Sequence, residues 1–98
     1  MAMAHMVRAV LQPHRPELRN LGVVQLRIFG SAARGDVTAA SDVDILAVFD
    51  RDARPGLKMA RLHRRLEEIL GREVDLLRAP VEQPSLAARI EREGVDAF

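Results

Sequence analysis

The chain has 98 residues, 48% of them hydrophobic, which excludes intrinsic disorder and allows one small domain, read here as residues 1–98. With no cysteine it has no disulfide framework, no thiolate metal site and no cysteine nucleophile, which suits a reducing cytoplasm. Fifteen Lys+Arg against fourteen Asp+Glu leave a formal charge of +1, and aromatic residues are 3%, all phenylalanine, so neither net attraction to nucleic acid nor base-stacking platforms are expected.

Met1 to Met6 (MAMAHM) reads either as a cloning remnant or as the opening of a short helix with Val7, Val10 and Leu11. Pro13 and Pro16 break that pattern, and Glu17 to Asn20 reads as one further helical turn closed by Gly22. Val23 to Phe29 is the first strand, because Val24, Leu26 and Ile28 alternate with Gln25 and Arg27. Gly30 ends it, Ser31 is expected as the N-cap of a short helix through Arg34, and Gly35 turns the chain. Thr38 to Ser41 reads as a loop. Val43 to Phe49 is apolar on both faces except at Asp44, so it belongs in the middle of a sheet.

Asp50 to Gly56 carries turn residues. From Leu57 to Leu70 the period lengthens, and Met59, Leu62, Leu66, Ile69 and Leu70 share one helical face. Glu73 to Leu77 is a third strand, and Ser85 to Glu93 a last helix with Leu86, Ala87 and Ile90 inward. The order α–β–α–β–α–β–α implies a small sheet covered by helices, in the α/β or α+β class. No segment approaches the ~20 apolar residues of a membrane span.

Three aspartates carry the chemistry. Asp42 and Asp44 stand two apart in an extended segment, which puts both carboxylates on one face. Asp75 lies in the next strand between Val74 and Leu76. Converging carboxylates raise one another's pKa unless a cation separates them, and an all-oxygen set favours Mg²⁺ or Mn²⁺. Gly30-Ser31 precedes a helical turn, where a phosphate can approach the backbone and the Ser31 hydroxyl, with Arg34 one turn on. His5, His14 and His63 share no metal-ligand spacing, and His63 reads as a surface residue. Arg61, Arg64 and Arg65 read as a solvated helix face or as a docking surface for an acidic partner.

Together these residues spell Gly-Ser, ten residues, then Asp-x-Asp. The stretch FGSAARGDVTAASDVDILAVFD, from Phe29 to Asp50, resembles the signature of the minimal nucleotidyltransferases in the DNA polymerase β-like superfamily. EVDLL, from Glu73, resembles that family's third-carboxylate strand, and the tail from Arg89 resembles its end more loosely. The resemblance implies the polymerase β-like fold, with a small mixed sheet covered by helices. It implies ATP as substrate and two Mg²⁺ ions, Mn²⁺ being an alternative. Gly30, Ser31 and Arg34 would then contact the nucleotide, Asp42, Asp44 and Asp75 would ligate metal, and Asp75 would help deprotonate the attacking hydroxyl.

Larger relatives hold base and acceptor with further domains that this sequence does not show, so a second chain is expected to bring the acceptor. The resemblance points to an all-helical HEPN toxin, with this chain as antitoxin adding AMP to a tyrosine of the toxin. Two other readings fit less well: a binding module that neutralises by masking, for which three facing acids are unnecessary, and a transferase for tRNA or antibiotics, which needs an acceptor domain.

Overall fold

The computed structural model describes residues 3–35, 42–54 and 56–98. The expected loop at Thr38 to Ser41 lies outside the described residues. The elements are helix α1 (Met3–Leu11), a 3₁₀ turn (Gln12–His14), α2 (Arg15–Asn20), strand β1 (Val23–Phe29), α3 (Ser31–Arg34), β2 (Val43–Phe49), α4 (Gly56–Leu70), β3 (Val74–Arg78), α5 (Pro84–Glu93) and β4 (Val95–Asp96). They form a mixed sheet in the order β3-β2-β1-β4. β1 runs antiparallel to β2 and to β4, whereas β2 and β3 run parallel. A parallel pair needs a crossover, and the amphipathic α4 supplies it.

One face of the sheet carries the main core. Leu26 and Ile28 of β1, Val43, Ile45 and Ala47 of β2, and Val74 of β3 pack against Ala4, Val7 and Leu11 of α1, Leu18 of α2, and Leu62 and Leu66 of α4. The two α4 leucines, four residues apart, are fully buried, as the helical period predicts. On the opposite face Phe29, Leu46 and Ile90 form a smaller cluster beneath α5. β2 is therefore central and covered on both faces, as its sequence indicates.

Three expectations are corrected. Val24 points to solvent, not inward, because the register slips between Val23 and Gln25. The extra residue returns Val23 to the core side that Leu26 and Ile28 occupy. Val10 of α1 is likewise exposed while Val7 and Leu11 are buried. The final segment does not stop at a helix: Gly94 releases the chain into β4, whose two residues are too few to show a period.

Arg27 fastens this last segment. Its guanidinium donates to Ile90 O at 3.1 Å, Glu91 O at 2.9 Å and the Asp96 carboxylate at 2.6 Å. A side chain at Gly94 would collide with Arg27 and with the Ile90 carbonyl, so glycine leaves the guanidinium its place. Arg27→Ala should cost about 1–3 kcal/mol, the scale for charged hydrogen bonds. Urea unfolding measures the loss, and limited proteolysis should show cleavage appearing first within residues 84–98.

Candidate active site

The end of β1 and the starts of β2 and β3 meet at one corner of the sheet. There Phe29, Asp44 and Asp75 lie in a single row across the three strands, Phe29 opposite Asp44 and Asp44 beside Asp75. Residues in register share a face, so both carboxylates stand on the face that carries α5. Parallel pairing thus places like charges side by side, and the sequence alone does not state that register.

The electrostatics follow. Burial pushes the half-buried Asp44 carboxyl above its ordinary value, and the neighbouring Asp75 and, more weakly, Asp42 push it further. Arg34 acts the other way. Asp42 sits in the segment just before β2 and is exposed, and Asp75 is exposed as well. The structure therefore brings Asp44 and Asp75 together, with Asp42 close enough to be felt. Among the described residues no three His, Cys, Asp or Glu side chains gather as a preformed metal centre. A carboxylate pair still fits Mg²⁺, which takes one or two protein carboxylates and completes its shell with water and substrate phosphates.

Gly30 is required here on two counts. Its φ of 69° and ψ of −146° lie where side chains are rarely tolerated. A Cβ on it would also run into the Asp44 carboxylate. The missing side chain is the space in which Asp44 lies. Gly30, not Ser31, is the N-cap of α3; Ser31 is the first helical residue, and no side-chain cap bond forms. The expectation of a capping serine is corrected accordingly. Its hydroxyl makes no hydrogen bond to any described residue, so it is available to a ligand.

Arg34, at the end of α3, pairs with Glu93 of α5 at 3.3 Å while acting on Asp44. That long-range contact has no sequence signal. Another interaction was also missed. His63 Nε2 donates to Val74 O at 2.7 Å, and Glu67 accepts from Val74 N at 3.0 Å. His63 is thus no idle surface residue; with Glu67 it fixes the residue next to Asp75. Arg65 is committed to Glu17 of α2, which leaves Arg61 and Arg64 on the outer face of α4. A hollow of about 370 Å³ beside α5, lined by Arg27, Leu46, Val81 and Ile90 among others, touches none of the site residues.

Comparison with known proteins shows the family to which the chain belongs. The nucleotidyltransferase domain family matches residues 11–96. A Methanocaldococcus jannaschii protein with a provisional protein adenylyltransferase name is 43% identical over 83 residues, covering 85% of this chain and 88% of the relative. The protein adenylyltransferase MntA of Thermococcus cleftensis is 37% identical over 90 residues, covering 91% and 90%. A solved structure described provisionally as a minimal nucleotidyltransferase superposes with a TM-score of 0.78 at 33% identity, covering 97% of this chain and 95% of that one. The MNT antitoxin solved with the tri-AMPylated HEPN toxin of Shewanella oneidensis shares the fold, with a TM-score of 0.64 at 18% identity, covering 93% and 71%.

Two outcomes test the corner. Because Asp44 binds its proton more tightly when folded, stability falls as pH rises from the ordinary carboxylate value of 3.8 through the raised one. Asp44→Asn should therefore raise the melting temperature at pH 7 in chelator, and the gain should vanish below pH ~3, where both states are protonated. Gly30→Ala should cost about 1–3 kcal/mol in strain and abolish nucleotide binding measured by calorimetry, because it displaces Asp44.

Proposed function

The chain belongs to the nucleotidyltransferase domain family, and from that premise we propose that it is a Mg²⁺-dependent protein adenylyltransferase. It moves AMP from ATP to a tyrosine hydroxyl of a HEPN toxin and so acts as the antitoxin of the pair. The observation that carries this reading is the in-register pair of Asp44 and Asp75 beside Gly30 and Ser31. The names of the relatives and of the toxin-bound neighbour support the substrate and the partner. No described helix is long and apolar enough to cross a membrane.

The division of labour follows from position. Ser31, with its uncommitted hydroxyl at the start of α3, binds the β- and γ-phosphates, which the bare backbone of Gly30 lets approach. Arg34 adds a cation at the same end, steadied by Glu93. Asp42 and Asp44 would hold Mg²⁺ together with the phosphates, and Asp75 would share it. Bound there, the metal offsets the charge of the triphosphate and of the departing pyrophosphate.

Asp75 is the exposed member of the pair and so the one an incoming acceptor reaches. Its carboxylate takes the proton of the hydroxyl as the oxygen bonds to the α-phosphorus. The bond from that phosphorus to the α,β-bridging oxygen breaks, and pyrophosphate leaves toward Ser31. Burial and the neighbouring Asp75 raise the affinity of Asp44 for a proton, and a cation bound there would oppose that rise.

Asp75→Asn keeps the shape and removes the base. ATP should still bind, while transfer of radiolabelled AMP to the partner falls ~10²–10⁴-fold. Toxin neutralisation in cells should fall with it. Full neutralisation without detectable transfer would favour masking over catalysis. Ser31→Ala should weaken ATP binding with no loss of stability, since Ser31 caps nothing.

A further inference from the structure

β3 is an edge strand, and the ladder states which way its main-chain groups point. Val43 N donates to Glu73 O, and Ala79 N donates to Ala47 O, so the odd-numbered residues 73–79 face β2. The main-chain groups of Val74, Leu76 and Arg78 then face outward. Val74 is satisfied on that side by His63 and Glu67, which take the place of a neighbouring strand. Beyond it, Leu76 and Arg78 present N–H and C=O groups to which no strand is paired among the described residues. A groove of about 250 Å³ opens along this edge, lined by Met59, His63, Val74, Asp75 and Leu76. Asp75 is the site residue in its lining.

We propose that the outer edge of β3 binds an extended segment of the acceptor protein as an added strand, which brings its hydroxyl beside Asp75. This rests on the transferase reading above. Main-chain bonds to Leu76 and Arg78 supply the affinity, the mode by which exposed sheet edges take up peptides. Side chains on an added strand alternate between faces, so the residue level with Asp75 points to the same face as the Asp75 carboxylate. Cross-strand neighbours stand ~4.5–5.5 Å apart at Cβ, within reach of a hydroxyl-bearing side chain. Arg78 is exposed and makes no ion pair among the described residues, so it selects an acidic residue about three positions from the hydroxyl.

The test uses the intact chain, Mg²⁺, radiolabelled ATP and two acceptors. One is N-acetyl-tyrosinamide, which carries the hydroxyl and no strand. The other is an unstructured copolymer of Ala, Glu, Lys and Tyr. The copolymer should be modified with a kcat/KM at least about tenfold higher per tyrosine, the return expected from main-chain pairing. Arg78→Pro deletes an outward N–H and spares the ladder to β2, as proline does on strand edges. It should remove the copolymer's advantage and leave the small acceptor unchanged, whereas Arg78→Gln, which keeps the N–H and loses the cation, should retain the share due to main-chain pairing and lose only the preference for acidic neighbours.

Equal use of both acceptors, or equal loss of both in Arg78→Pro, would overturn the edge and leave the transferase reading standing. Amide exchange of the wild-type chain provides a readout that does not depend on turnover. The Leu76 and Arg78 amides should become protected when the copolymer is added, and their failure to do so would also overturn the edge. Protection without transfer to either acceptor would support the edge and count against the transferase reading instead.

Discussion

Two carboxylates held side by side are the constraint to which the rest of this fold answers. Asp44 and Asp75 are neighbours because β2 and β3 run parallel in one register, and that register is fixed from below. A slip of β3 by one residue would turn Val74 out of the core and Asp75 into it. The hydrophobic face therefore enforces an unfavourable electrostatic contact on the opposite one. The crossover helix has the same double role: Leu62 and Leu66 seal the core, while His63 and Glu67 reach past the edge to hold Val74. Stability built on one face of the sheet is spent holding repulsion in place on the other.

Much of the architecture was legible because it rests on period. The bounds of β1 follow from alternation and those of β2 from a run apolar on both faces, and α4 differs from its expected span by a single residue. The misreadings share a cause. Val24 obeys the strand period and yet lies outside the core, since a bulge is a property of two strands and not of one. Ser31 has the chemistry of a cap, but Gly30 adopts the conformation, because the Asp44 carboxylate fills the space where any other residue would carry its side chain. β4 spans two residues and exists only by pairing with β1.

The site was legible in its parts and not in its assembly. Gly30, Ser31, Asp42, Asp44 and Asp75 stand out by type and spacing, and the family signature joined them into one reading. What spacing could not supply was the row across three strands, the exposure of Asp75 against the half-burial of Asp44, or the ion pair between Arg34 and Glu93. Each depends on residues far apart in the chain meeting through the sheet. The two acids consequently occupy different environments although both lie in strands between apolar neighbours.

The Gln12 amide donates to Ala97 O at 2.6 Å, and Arg15 lies over the Phe98 ring, 5.5 Å from its centroid. These contacts join segments more than eighty residues apart, and β1 meets β4 across a shorter but still long span. Closing so long a loop is entropically unfavourable before it yields any contact, so such topologies fold slowly relative to helical bundles. The tail that carries Glu93 to Arg34 is thus anchored at both ends of the sequence, so loosening the first turns of the chain would also loosen the ion pair beside Asp44.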